Sequence, residues 1–304
     1  MNHIQNVWMD SIRTNKENRH HCCGCSACES VCEKRAISMK ADKEGFMYPV
    51  VNEDTCIDCG MCVKVCPIVN ECENKEPYQK SYGGYSKDER IINSCASGGV
   101  ATALSLETIK QRGVVYGVRF NETYSASDYV RIDNEDDLWA LCSSKYVQPT
   151  KSGIHAAVKA DLKNGLKVLF VGCPCDVAGL KRYLRKDYGN LLTCELFCAG
   201  ITSSKILDEY RAMREKKVGA KLMAFNVRNK EKGWFVQHIK EEYQNGKVYY
   251  KNHFGTYLGY GFLNFRRPSA CKTTAPKSFW VKYYVPTSFH TFMKKFFHTL
   301  VDKK

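Results

Sequence analysis

Residues Cys56–Pro67 read CIDCGMCVKVCP, four cysteines in eleven residues closed by a proline. The gaps are C-x2-C-x2-C-x3-C. Upstream, CCGCSACESVC repeats them at Cys22, Cys25, Cys28 and Cys32, so the two runs form an internal duplication with a period of 34 residues. Ten of the 17 cysteines lie between Cys22 and Cys72. Disulfides at this density would be strained. Zinc modules normally separate two C-x2-C pairs by a longer loop, which three cysteines at two-residue gaps do not match. The spacing fits an inorganic cluster held by several thiolates of one tight loop.

In this respect the segment resembles the dicluster ferredoxins. The resemblance implies two 4Fe-4S clusters, with Cys22, Cys25, Cys28 and Cys66 holding one and Cys56, Cys59, Cys62 and Cys32 the other. Glu33 stands where that family usually has proline after the fourth cysteine. Between the runs, GFMYPVVNEDTC reads as a short strand and a turn entering the second loop. Cys23 and Cys72 fall outside the pattern and read as spare thiols. A ferredoxin-like α+β domain over residues 1–76 is the expectation.

The whole chain sets the frame. A hydrophobic fraction of 44% and 12% aromatics are those of a folded globular chain. The polar start, MNHIQNVWMDSIRTNKENRHH, has no apolar core of a secretory signal. No apolar run reaches the ~20 residues of a spanning helix. A cytoplasmic protein is expected, and thiols so numerous there mean metal or redox chemistry. Oxygen-sensitive clusters of this kind point to an anaerobic host. The net charge is +14, and residues 271–304, with seven lysines and Asp302, hold six of those charges. No nucleic-acid motif accompanies them, so the excess reads as a basic surface or an electrostatic docking face.

After a polar linker, ECENKEPYQK, the texture changes. GGYSKD reads as the end of a strand. SGGVATALSLETIKQRG reads as a helix with Ser97 as its N-cap and Gly113 as its stop. VVYGVRF, LKVLFVG and LLTCELFC read as strands. SGIHAAVKADLKNG, DVAGLKRYLRK (after a Cys-Pro-Cys turn) and SSKILDEYRAMREKK read as helices. Strands alternating with helices predict an α/β domain with a largely parallel sheet over 77–218. From 219 to 304, AKLMAFNVRNK, WFVQHIKEEY and KVYYKNHF predict a smaller β-rich part with a hairpin turn at Asn245-Gly246.

Six short stretches appear together: SGGVATAL, SSKYVQ, VGCPCDVAGLKRYL, CELFCAG, VRNKEKGW and RRPS. In that order they resemble the beta subunits of coenzyme F-420 hydrogenases and dehydrogenases. The resemblance implies FAD, and a deazaflavin-type or other two-electron acceptor. It implies a flavin site at Ser97, Gly98 and Gly99, where a glycine loop enters a helix. It adds Ser144 and Lys145, the latter on a flavin phosphate or a reduced ring, and Cys175. Ser97 also reads as a plain cap, and Lys145 as a surface lysine. Cys173 and Cys175 read as structural thiols near the cofactor, as reactive thiols, or as metal ligands with Cys194 or Cys198. Asp176 reads as a cap of the following helix. Ser143 and Ala199 replace the family's glycine and histidine, so no general acid or base is named. His155, His238 and His253 read as solvated or packed.

After RRPS the family's second cysteine and its Gly-Asp-x-Trp stretch are missing. The end therefore reads as truncated or divergent after about residue 269. There Phe289, Phe292, Met293, Phe296, Phe297, Leu300 and Val301 fall at helical spacing, flanked by lysines. That stripe suits packing on the protein better than a membrane surface. The expected function is an iron–sulfur flavoprotein oxidoreductase passing electrons between clusters and flavin, with hydride exchange. Its partner would be a ferredoxin, a hydrogenase or dehydrogenase subunit, or a small redox coenzyme. The alternatives are an electron-relay subunit without substrate chemistry, and a degenerate member keeping only the clusters.

Overall fold

The computed structural model describes residues 22–70, 82–198, 200–233, 238–252, Thr256 and the backbone of Tyr283–Tyr284. Cys72, Ala199, His253, RRPS and the side chains of the C-terminal apolar stripe lie outside the described residues. Among the described residues no helix is long and apolar enough to cross a membrane.

The duplication read in the cysteines is also a duplication of backbone. Gly24 and Asp58 have positive φ, as do Ser26 and Gly60, each pair 34 residues apart. Ser26 and Gly60 are the N-caps of two short helices, α1 (Ala27–Val31) and α2 (Met61–Lys64). Alternating left-handed residues wind each loop tightly enough to turn its thiols to one side. Between them, β1 (Ile37–Ala41) and β2 (Met47–Val51) pair antiparallel, from Ile37 opposite Val51 to Ala41 opposite Met47. Ala27, Phe46, Tyr48, Val63 and Val65 are buried beneath.

The segment GGYSKD is not a strand. It is irregular chain leading to α3 (Glu89–Ser94), because Asp88 accepts from the N–H of Arg90 at 2.8 Å and of Ile91 at 3.3 Å and starts a helix there. α4 (Val100–Lys110) is capped by Gly99, at φ 84°, and not by Ser97. A left-handed cap of this kind needs glycine's freedom. The chain then forms β3 (Val114–Phe120), β4 (Ser127–Ile132), α5 (Glu135–Leu138) with a 3-10 turn to Leu141, and α6 (Ile154–Lys163). β5 (Val168–Gly172), α7 (Pro174–Leu184), β6 (Leu191–Glu195) and α8 (Ser204–Val218) follow.

The sheet is mixed, which corrects the expectation of a largely parallel one. Its order is β10-β6-β5-β3-β4, β10 being Tyr283–Tyr284. β3, β5 and β6 run parallel, whereas β4 returns antiparallel on β3 and β10 antiparallel on β6. Parallel pairing would need a crossover of a dozen residues or more. The link Asn121–Ala126 is far shorter, and Asn121 Oδ1 closes it on the N–H of Ser125 and Ala126. Both faces of the sheet are covered. Val114, Tyr116, Val168 and Phe170 pack on Val158, Leu162, Val177 and Leu180 of α6 and α7. The alternate residues Val115 and Leu169 pack on Leu104 and Leu138 of α4 and α5.

The β-rich part is a three-stranded antiparallel sheet of β7 (Leu222–Asn229), β8 (His238–Tyr243) and β9 (Val248–Asn252). Gly246, at φ 78°, turns the expected hairpin, its N–H donating to Tyr243 O at 2.9 Å. α8 lies against this sheet through Leu207, Tyr210 and Val218. Beneath it the buried Glu241 accepts from Arg214 Nε at 2.8 Å and Nη2 at 2.7 Å, and from Tyr210 and Tyr243.

Candidate functional site

Cys22, Cys23, Cys25, Cys28 and Cys66 line one cavity, together with Gly24, Ser26, Met39, Pro49 and Ile68. Beside Cys23, the cavity thus holds the three first-repeat thiols and the one second-repeat thiol that the ferredoxin resemblance implies for one cluster. Burial pushes Cys66 up to about 11, the thiols of Cys22 and Cys62 adding to it. Burial raises Cys28 well above the ordinary thiol range, with Cys22, Cys66 and Cys62 contributing. Thiols this crowded hold their protons until a cation replaces them, and metal binding releases protons in that way. Backbone N–H groups already point at sulfur. Gly24 N donates to Cys22 Sγ at 3.4 Å and Ala36 N to Cys32 Sγ at 3.2 Å. Among the described residues no three such side chains are already drawn together as a metal site. The donor set, its burial and its amides fit a 4Fe-4S cluster.

In the second loop, Cys62 is raised by burial, with Cys56 and Cys59 as its charged neighbours. Cys59 is exposed. Cys32, the fourth thiol of that set, is the C-cap of α1. Beside α2 opens a groove lined, among the described residues, by Lys64, Lys181, Arg182, Arg185 and Lys186 and by one carboxylate, Asp187.

The first loop is built into the α/β part. Lys151, buried, donates to Gly24 O at 3.1 Å and pairs with Asp176 at 3.2 Å. Asp176 also accepts from Tyr129 Oη at 3.1 Å and from the N–H of Cys173 at 3.3 Å, capping α7. Ser30 Oγ meets His155 Nδ1 at 2.9 Å, and burial holds that ring neutral, down to about 3. Gln148 Oε1 accepts from Met47 N at 2.8 Å. A Cβ on Gly179 would lie 2.7 Å from Cys25 Cβ, so α7 approaches the loop where it has no side chain. Lys151 and Gly179 carry no signal in a lone sequence, because their role is set by what folds against them.

The flavin-motif residues fall in two groups. Ser97–Gly99 meets the VRNK stretch, Lys230 Nζ donating to Ser97 O at 2.9 Å and Ile92 O at 2.7 Å. Ser143 Oγ donates to Asn226 Oδ1 at 3.1 Å, and Arg228 Nη1 to Tyr146 Oη at 3.1 Å. Three motifs far apart in sequence thus share one corner. Their polar groups face the chain itself. Lys145 Nζ donates to the carbonyls of Leu141, Cys142 and Ser143 at 2.9, 2.6 and 3.1 Å. A Cβ on Gly98 would sit 2.6 Å from Gly84 O, and one on Gly99 2.6 Å from Ile91. Ser144 is half-buried between Ser143 and Lys145. Ser143 keeps a φ of 64°, the conformation glycine would hold at no cost. Cys175 lies elsewhere, packed with Cys23, Cys25 and Val65 against the first loop.

Comparison with known proteins agrees with these two halves. Residues 21–69 match the model of the 4Fe-4S dicluster domain, and residues 165–275 that of the C-terminal part of the coenzyme F420 hydrogenase/dehydrogenase beta subunit. The F subunit of the F(420)H(2) dehydrogenase of Methanosarcina mazei is 25% identical over 212 residues, 62% of this chain and 57% of its own length. The coenzyme F420-dependent sulfite reductase of Methanocaldococcus jannaschii is 28% identical over 168 residues, 53% of this chain and 25% of its own. A chain of the F420-reducing [NiFe] hydrogenase complex from Methanosarcina barkeri aligns at 15% identity and TM-score 0.47, covering 74% of this chain and 82% of that one. The chain thus joins a 4Fe-4S dicluster domain to a region related to the beta subunits of coenzyme F420 hydrogenases and dehydrogenases. It spans little more than half the length of the Methanosarcina mazei relative.

Proposed function

We propose that this chain is the iron–sulfur electron-transfer subunit of a hydrogenase- or dehydrogenase-type oxidoreductase. The observation that carries the reading is the cavity lined by Cys22, Cys25, Cys28 and Cys66, beside a first loop that the α/β domain holds through Lys151 and through Gly179 of α7. When bound, 4Fe-4S clusters supply one-electron transfer. The chain's part is to hold them at fixed separation in two matching loops. It also aims backbone N–H groups at sulfur and places the Lys151 ammonium beside the first loop, favouring added negative charge there. The exposed edge at Cys59, next to the basic groove, suits an acidic one-electron carrier such as a ferredoxin.

The finer form of the reading adds FAD and hydride exchange with a deazaflavin-type acceptor, by resemblance. The plain relay is favoured by one observation: Lys145, Gly98 and Gly99 are engaged with their own chain. No step is therefore derived through a flavin. Iron and released flavin, measured on one anaerobically purified sample, test both forms. About eight irons per chain are expected from two four-iron clusters. A sample that binds no iron on reconstitution sinks the proposal. One flavin per chain restores the finer form.

A further inference from the structure

The two cysteine loops share a backbone but differ in charge. Gly24 of the first loop has Asp58 as its counterpart one repeat later, and both hold the left-handed conformation, at φ 66° and 54°. At the first loop this position is met by a cation from outside the repeats. Lys151 Nζ donates to Gly24 O at 3.1 Å and pairs with Asp176 Oδ1 at 3.2 Å, the two side chains being only 3% and 6% exposed. Asp176 is held as a carboxylate because it also accepts from Tyr129 Oη and from the N–H of Cys173. In this network the ammonium, and not the carboxylate, bonds the loop. At the second loop the sign is reversed. There a carboxylate lies against one of the loop's own thiols, Cys56 Sγ being 3.7 Å from Asp58 Oδ1.

We propose that Lys151 and Asp58 hold the two 4Fe-4S clusters at different potentials, the first-loop cluster being the easier to reduce. The proposal deepens the electron-transfer reading above and rests on it. Reduction adds one negative charge to a cluster. A cation beside it favours that charge and a carboxylate opposes it, so the first raises a potential and the second lowers it. Burial decides the weights. At equal distance a charge acts about four times more strongly at the effective dielectric of a protein than in water. Lys151 is buried, whereas Asp58 and Lys64, the cation of α2, are exposed. Glu29, next to Cys28, works against Lys151, but it is half-buried and its carboxylate accepts from the N–H of Met39 at 3.1 Å. The larger shift therefore belongs to the first loop. One electron delivered at the exposed second loop passes on to the first, leaving the second oxidised again, with no bond broken and no proton taken up.

The test uses the full chain, purified anaerobically with its iron and titrated with a low-potential reductant. Electron paramagnetic resonance counts the reduced clusters. Wild type should show two separate one-electron waves. Lys151→Met should lower the higher wave and leave the lower one in place. The expected shift is at least tenfold in the ratio of reduced to oxidised cluster at a fixed potential, which is about 59 mV for one electron. Asp176→Asn should move the same wave the other way, since it relieves Lys151 of an opposing charge. Damage to the loop would not change sign between these two variants. Asp58→Asn should raise the lower wave, by a smaller amount. Coincident waves in wild type overturn the proposal. So does a higher wave that stays in place in Lys151→Met, or that moves in the same direction in Lys151→Met and Asp176→Asn. Lys151→Met strands a buried carboxylate; if it does not fold, the directions seen in Asp176→Asn and Asp58→Asn decide alone. Wild type without iron refutes the cluster reading instead, which is a different failure.

Discussion

Single residues here carry roles that their neighbours impose. Lys145 is the clearest case. Burial pushes its ammonium down to about 7, although three carbonyls hold it. The unfolded chain, with lysine at ~10.4, binds more protons than the folded one between the two values. Stability therefore rises with pH across that window and is weakest below it. Thermal melts from pH 6 to pH 10 should show this rise in wild type and lose most of it in Lys145→Met. Equal slopes in both would mean that Lys145 is not buried as a cation. Glu241 gives a second case. Arg214→Met leaves its carboxylate buried with hydroxyl partners only. The variant should lose about 3–5 kcal/mol in denaturant unfolding, and a loss under ~1 kcal/mol would show the site to be wet. Cysteine spacing could be read directly because a cluster dictates it. Lys151, Gly179 and the Glu241 pair could not, since each is defined by a contact across more than 25 residues of chain.

At the scale of elements, α7 matters most, because it faces the sheet core on one side and Cys25 on the other. Gly179→Ala would drive a methyl to 2.7 Å from Cys25 Cβ. The helix cannot retreat, since Val177 and Leu180 are locked in the sheet core. The strain falls on the first loop. Iron per chain should drop by about half, to the four of the second cluster, with the fold intact by circular dichroism. Full iron in this variant would show that the loop yields. The strands of this layer were readable where both faces are buried, as in VVYGVRF and LKVLFVG, because such strands are continuous apolar runs. β4 escaped notice because SDYVRI carries a serine, an aspartate and an arginine, although its Tyr129 and Ile132 are buried in the core. GGYSKD misled because its tyrosine and glycines imitate a strand end, whereas Asp88 was already an N-cap. Ser97 misled likewise. It stands two residues before the true cap, and only the packing of Gly99 on Ile91 decides between them.

For the whole molecule, charge decides how electrons arrive. Six of the fourteen formal charges lie in residues 271–304, but among the described residues five cations and one carboxylate also line the groove beside α2. Clefts lined by one sign of charge raise association rates by roughly 10–1,000-fold at low salt. A surface of this kind, set next to the exposed Cys59, should steer an acidic carrier to the second loop first. The first loop, roofed by Lys151 and α7, would then be the inner station. Reduction of the clusters by an acidic ferredoxin, followed by absorbance in stopped flow, should slow steeply with ionic strength. A charge-reversed variant (Lys181→Glu, Arg185→Glu and Lys186→Glu together) should lose at least tenfold in that rate at low salt. Reduction by dithionite, a small anion that needs no docking, serves as the measure of cluster integrity and should change far less. Equal losses with both reductants would mean that the substitutions damaged the clusters. An unchanged ferredoxin rate would move the entry point away from this groove.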